Sequence, residues 1–320
     1  MSQPASSTQT ADPGERRSGE LDSAAPDRPA GEVRLSVALV TRNRPESLAR
    51  TLRSLRAQQV QPFEVVVSDD SDPARVHETR AVALEHGARH VIGPSRGLYA
   101  NRNSVARHCQ GTHVRTMDDD HEFPADHMAA CMSAVRRRPD VIWIIGECLP
   151  GEEASAQQWA CPAQLHPRGH SVNPPPDRRM WAIADGAAIY PRAIFDRGLR
   201  FSESFPFGAA YLEWGSRLHW LGYEIHHLDE TFVIHHYDPT ARSIDNIRYN
   251  AGSRLFAGMC HSFIYQPSLR NRALTMAEFA ATIRRRRLTG VYAAVDAVRA
   301  YRKQRRISLR SRDERVAANV

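Results

Sequence analysis

Lysine is nearly missing from this 320-residue chain: Lys303 stands alone among 43 basic residues. The shortage reads as coding bias and carries no function. Cysteine is sparse, with Cys109, Cys131, Cys148, Cys161 and Cys260 scattered and no CxxC pair. That spacing excludes a zinc-ligand pattern and a disulfide framework, and it points to a reducing compartment. No apolar run approaches the length of a membrane span, and no apolar signal core opens the chain. A cytoplasmic location is therefore expected. Net basic charge is also missing from most of the chain. Residues 284–320 hold 12 Lys and Arg against 3 Asp and Glu, a local +9, while residues 1–283 hold 31 basic and 33 acidic groups, a net −2. The overall +7 is thus a tail property, and the body has no nucleic-acid-binding composition.

Against these absences stands a soluble composition, 42% hydrophobic and 25% charged, in a chain long enough for one large or two small domains. Residues 1–31 are rich in Ser, Ala, Pro, Gly and charge and are expected to be a disordered tail. Residues 32–240 read as the catalytic domain, and 241–320 as a mostly helical extension with a basic tail.

Within 32–145 strand-like and helix-like segments alternate. Leu35–Val40 reads as an apolar strand, broken at Thr41-Arg42-Asn43-Arg44-Pro45, where Pro45 can open a helix. Leu48, Leu52 and Leu55 share one face of that helix. Phe63–Val67 is a second strand, running into Ser68-Asp69-Asp70-Ser71-Asp72. Helices are expected at 73–86, 100–109 and 123–138, the last with Met128, Cys131, Met132 and Val135 on one side. Short strands are expected at 89–92 and 114–117, and a fully buried one at 141–145. Such alternation predicts an α/β fold, a mainly parallel sheet sandwiched by helices. Ligands of such sheets sit at the carboxyl ends of the strands. Thr41, Asp69, Asp70 and the run Asp118-Asp119-Asp120 are all predicted at those ends.

Three adjacent carboxylates repel one another unless a cation or hydrogen-bond donors offset the repulsion. Oxygen-rich clusters suit Mg²⁺ or Mn²⁺, and such an ion can neutralise a leaving diphosphate. A solvated acidic loop ahead of the Pro124 helix is the alternative reading.

These pieces together resemble family 2 nucleotide-sugar glycosyltransferases of the GT-A fold. The matching residues are Leu35–Val40 with Thr41-Arg42-Asn43-Arg44; Phe63–Val67 with Asp69-Asp70-Ser71; Arg96-Gly97 with Ala100-Asn101-Arg102-Asn103; Thr116–Asp120; Asp185–Pro191; Glu213 with Arg217-Leu218 and Gly222-Tyr223; and Ile234-His235-His236. The resemblance covers about 33–240. It implies a soluble, metal-dependent enzyme moving a sugar from a nucleotide diphosphate donor, UDP favoured, to an acceptor hydroxyl or amine, with inversion. Asp118 and Asp120 would form the DxD pair with Mn²⁺ or Mg²⁺, Asp120 the direct ligand. His235 would complete the metal shell, with His236 as the alternative after a one-residue register slip. Thr41, Arg42, Asp69, Asp70, Arg102, Asp118 and Asp119 would face the nucleotide. Arg102 would contact phosphate or hold the acidic cluster.

The family usually starts its acceptor helix with Glu-Asp. This chain has Ala209-Ala210-Tyr211-Leu212-Glu213, which puts Tyr211 at the usual base position and Glu213 at the second acidic one. Glu213 is therefore the expected catalytic base. Trp214 and Trp220 could supply a sugar-stacking platform. The Pro-rich stretch 151–177 reads as a loop covering the acceptor, and His166 and His170 are not expected to bind metal. Two other classes remain. A nucleotidyltransferase would show a Gly-rich phosphate loop after the first strand, and Thr41–Pro45 has no glycine. A non-catalytic nucleotide-sugar-binding or scaffold protein is kept open by the missing Glu-Asp pair. In the tail, Val291, Val295 and Val298 form an apolar face among arginines. It is expected to pack on the catalytic domain, with weak membrane-surface contact through 284–315 as the second option.

Overall fold

The computed structural model describes residues 32–151, 164–172, 186–237 and 246–318. The chain opens β1 (Leu35–Thr41), α1 (Pro45–Arg56), β2 (Glu64–Asp69), α2 (Val76–Glu85), β3 (Arg89–Ile92), α3 (Leu98–His108) and β4 (His113–Asp118). It continues through β5 (His121–Glu122), α4 (His127–Arg137) and β6 (Ile142–Cys148). A small hairpin, β7 (Gln164–Leu165) and β8 (Ser171–Val172), precedes β9 (Ala187–Pro191), α5 (Ala193–Asp196), α6 (Ala210–Trp220) and β10 (Ile225–His235). The rest is α7 (Asn246–Cys260), a π-helical turn (His261–Tyr265) and α8 (Leu269–Ala318).

Eight strands form one sheet in the order β3-β2-β1-β4-β9-β6-β10-β5. β9 and β5 run antiparallel to their neighbours, and the remaining pairs are parallel. The expected mainly parallel sheet between helices is what forms. β1 shows why. All seven of its residues are buried. Leu35, Val37 and Leu39 join one core cluster with Leu48, Leu52 and Leu55 of α1 and Met128 and Val135 of α4. Ala38 and Val40 join the other, with Tyr99 of α3, Trp214 of α6 and Phe256 of α7. Successive side chains point to opposite faces, so a strand buried along its whole length needs a helical layer on each side.

Boundaries moved where capping decided them. α2 starts at Val76, later than expected, because a turn bonding Arg75 N to the Asp72 carbonyl at 2.8 Å intervenes. α3 starts at Leu98 behind Gly97, whose φ of 98° places it in the left-handed region that favours glycine. There an added Cβ would collide with Pro206.

α8 breaks at Arg287 (φ 49°, ψ −126°), and Gly290 lies against the Thr282 carbonyl and Ile283. The extension is therefore a helical hairpin with Arg284–Arg287 at its tip. Its second arm packs on the body, but of the valine stripe only Val298 reaches the core. Ala293, Ala297, Ala300, Gln304 and Ser308 are buried, while Val291 and Val295 are 40% and 41% exposed. Small side chains let the arm approach α7, where Gly252 faces the Ala293 carbonyl and Arg248 pairs with Asp296 at 2.7 Å. No helix among the described residues is long and apolar enough to cross a membrane.

Candidate active site

Register brings the predicted residues to one rim. β1 pairs Thr41 with Asp69 of β2 and Val40 with Asp118 of β4. On the other side, antiparallel pairing sets His235 of β10 opposite His121 of β5. Parallel pairing sets Ile234 beside Cys148, which brings Glu147 up to His235.

Asp120, His121 and His235 offer one ligand atom each within 4.8 Å of one another. Asp120 Oδ1 and both ring nitrogens of buried His121 have no hydrogen-bond partner among the described residues. Buried polar atoms are almost always paired, so Asp120 Oδ1 and His121 Nε2, 4.0 Å apart and both unpartnered, indicate a missing partner. His235 Nε2 lies 3.6 Å from Asp120 Oδ1, and its Nδ1 lies 3.1 Å from Glu147 Oε2. A carboxylate behind the imidazole is the usual way a ligating histidine is oriented. One carboxylate and two imidazoles are a donor set that fits Mn²⁺ or a similar divalent ion. His236 instead bonds Glu122 at 2.7 Å, so register favours His235.

Electrostatics agree. The carboxylates of Asp120 and Glu147, one beside each ring nitrogen, raise His235 to about 10 against some burial. Burial opposes ionisation of Asp120, but His235, His121 and Arg44 outweigh it and hold the carboxyl well below its ordinary range. Burial lowers His121, with Asp118, Glu147 and Asp120 opposing.

Arg44, which sequence reasoning passed over, bridges the cluster: its guanidinium pairs with Asp119 and, at 3.0 Å, with Asp120. Its neighbour Asp119 is buried and also accepts from Thr41 Oγ1 at 2.6 Å. Burial pushes Asp119 up to about 7, with Arg44 opposing. Asp119 and Thr41 thus engage each other. Asp118 takes Arg102 at 2.7 Å, and Arg102 is 1% exposed. Of the two roles open to Arg102, this is the one that holds the acidic cluster. Gly186 leaves room here, since an added Cβ would collide with Asp118 Oδ2.

Asp69 accepts from Ser71 N at 2.8 Å and approaches His90 at 3.1 Å. Asp70 accepts from Ser95 N at 2.8 Å, and burial raises its carboxyl. Arg42 is solvent-exposed and pairs with Asp72 at 3.3 Å.

Glu213 sits elsewhere. It is 0% exposed, paired with Arg217 at 3.1 Å and bonded by the Tyr265 hydroxyl, which also meets Ser308 of α8 at 3.1 Å. In this arrangement it reaches no acceptor. Trp214 is fully buried against Phe201 and Phe195 and is no stacking platform. Trp220 packs on Tyr265 at 5.4 Å. Asp185 and much of the Pro-rich stretch lie outside the described residues. His166 and His170, within it, stack with ring centroids 4.5 Å apart.

A sequence model of Glycosyl transferase family 2 matches residues 36–197, half of the chain. The chain belongs to glycosyl transferase family 2. Its fold is GT-A-like. TarS 1–349 of S. aureus, solved with UDP, is similar at 15% identity and TM-score 0.51, covering 84% of this chain and 89% of that one. A mannosyltransferase of Pyrobaculum calidifontis, solved with GDP-Man and Mn²⁺, gives 18%, 0.53, 84% and 74%. GalNAc-T7, solved with UDP, GalNAc and Mn²⁺, gives 13%, 0.57, 78% and 55%. No curated protein sequence matches.

Proposed function

We propose that this enzyme moves a sugar from a nucleotide diphosphate donor to an acceptor hydroxyl or amine, with inversion, using Mn²⁺ or Mg²⁺. The observation that carries the metal is the convergence of Asp120, His121 and His235, with Asp120 Oδ1 and the His121 ring nitrogens unpartnered among the described residues. A divalent ion there would offset the charge of a departing nucleoside diphosphate. Asp120 and the two imidazoles hold it, and Glu147 orients His235. Arg44 and Arg102 hold the acidic run in place, and Asp118, which fills the space beside Gly186, is assigned to the donor. Asp70 and Arg42, at the ends of β2 and β1, are assigned to the base and ribose. Solved relatives of this fold carry UDP, UDP-GlcNAc and GDP-Man, and UDP is our favoured donor base.

Glu213 enters this reading as a positioning residue, tying α6 to the C-terminal hairpin through Tyr265 and Ser308. A cytoplasmic location is kept. Weak, salt-sensitive lipid contact by 284–315 is a second reading, favoured by Leu288, Val291 and Val295 standing exposed beside four arginines. Thermal shift with UDP, GDP, dTDP and CDP sugars, with and without Mn²⁺, tests the donor. Equal shifts in Mn²⁺ and in EDTA would remove the metal from this account. The anomeric configuration of the product, read by NMR, tests inversion.

A further inference from the structure

Away from the acidic run, a cavity of about 520 Å³ opens where the β7–β8 turn meets α7 and the first arm of α8. Arg168 and His170 come from the turn, Arg254 from α7, and Glu278, Arg285 and Arg286 from α8. Glu278 is engaged by Arg285 at 2.7 Å. Among the described residues, no carboxylate pairs with Arg168, Arg254 or Arg286. Four guanidinium groups around one concavity repel each other, and a single carboxylate offsets only part of that. His170 feels the same field: burial and the charges of Arg254 and Arg168 lower it, with Glu278 opposing.

The walls are built rather than incidental. Gly169, at φ 75°, passes so close to the Arg254 carbonyl that an added Cβ would overlap it. Gly258 also lies too tight against the Pro167 carbonyl for a Cβ. Thr275 of α8 donates to that carbonyl at 2.8 Å. The turn, α7 and α8 are thereby clamped before any ligand arrives, and prior order of this kind lowers the entropic cost of binding. The volume lies in the roughly 300–1,000 Å³ range of small-molecule sites. Guanidinium forks match phosphate oxygens bidentately.

We propose that this cavity is a binding site for an organic phosphate ester, separate from the donor diphosphate. Asn250 and Ser253 of α7 link it to the start of α6: Ala209 N donates to Ser253 Oγ at 2.9 Å, and Gly208 packs on Asn250. A phosphate held here would lie on the α6 side of the molecule. Nothing in this inference depends on the metal or the donor.

The test is calorimetry in EDTA with glycerol 3-phosphate, alongside sedimentation with phosphatidylglycerol and phosphatidylcholine vesicles. Wild type and Asp120→Ala should bind one glycerol 3-phosphate saturably and alike. Arg168→Gln/Arg254→Gln, both exposed and so tolerant of change, should weaken binding at least tenfold. Arg302→Gln/Arg306→Gln removes the same charge outside the cavity and should leave it intact. Binding to anionic vesicles alone, lost in the cavity variant and kept in the tail variant, would identify the ester as a lipid headgroup. Binding of neither probe would overturn the site. So would equal loss in both double variants, which marks diffuse charge attraction, or loss in Asp120→Ala, which marks the donor site.

Discussion

At the scale of single residues, the acidic run behaves as a held cluster, not as three free charges. Arg44 and Arg102 offset the repulsion among Asp118, Asp119 and Asp120, so removing one carboxylate does not simply relieve strain. Asp120→Ala should abolish metal-dependent nucleotide binding and lower turnover roughly 10²–10⁴-fold, the several kcal/mol a bound cation supplies. Calorimetry with Mn²⁺ and a turnover assay check it. Full activity of the variant would contradict the assignment. Glu213→Gln tests a different point. If Glu213 is a tether, the lost charge on a buried, paired group costs about 1–3 kcal/mol and lowers Tm by several degrees. Unchanged Tm with turnover down 10²–10⁴-fold would restore it as the general base.

His235 gives a pH signature in the metal-free protein. Its folded value of about 10 exceeds the ordinary 6.5. Its stabilising contribution is therefore complete below about 6.5 and lost as pH climbs through 10. The depressed Asp120 contributes above the ordinary carboxylate range and fades only in acid. Metal-free Tm should fall between pH 6.5 and 10, and His235→Gln should flatten that window. Because metal needs the neutral imidazole, Mn²⁺ affinity should rise over the same window. A wild-type curve parallel to that of His235→Gln would refute the pairing.

At the scale of elements, the strand ends and the turns around them decide the site. Gly186, just ahead of β9, borders both Asp118 and His121. Gly186→Ala keeps an ordinary backbone conformation yet pushes the Asp118 carboxylate aside. We expect donor affinity to drop at least tenfold with Tm nearly unchanged, read by calorimetry and thermal melting. A large Tm loss would mean that the crowding is absorbed by the sheet and not by the carboxylate.

At the scale of the whole molecule, the C-terminal hairpin is part of the core. Ala294, Ala297 and Ala300 belong to the same buried cluster as Trp214 and Phe256. Ser308 touches the hydroxyl that holds Glu213. Deleting 288–318 should therefore expose apolar surface and cost Tm by more than 10 °C, at about 25 cal/mol for each Å² uncovered. A truncated protein melting like wild type would show instead a detachable tail.

Much of this was legible in the chain. Unbroken apolar runs such as 35–40 and 141–145 determine buried strands, because only a sheet covered on both faces hides every side chain. Strand–helix alternation then orders them, and the polar turn after β1 with the carboxylates after β2 and β4 marks the rim. The family pattern picked out Asp120 and His235 from local spacing. What spacing could not show was contact across the sheet. His121 and Glu147 meet His235 only because β5 and β6 flank β10. Glu213 looked like a helix-start acid, but Arg217 and Tyr265 enclose it. The valine stripe looked like the packing face, but only Val298 of it packs, and α7 accepted the alanine face, which allows closer approach. Periodicity is a property of one segment, whereas pairing, enclosure and choice of face depend on what other segments bring, and only the tertiary structure decides that.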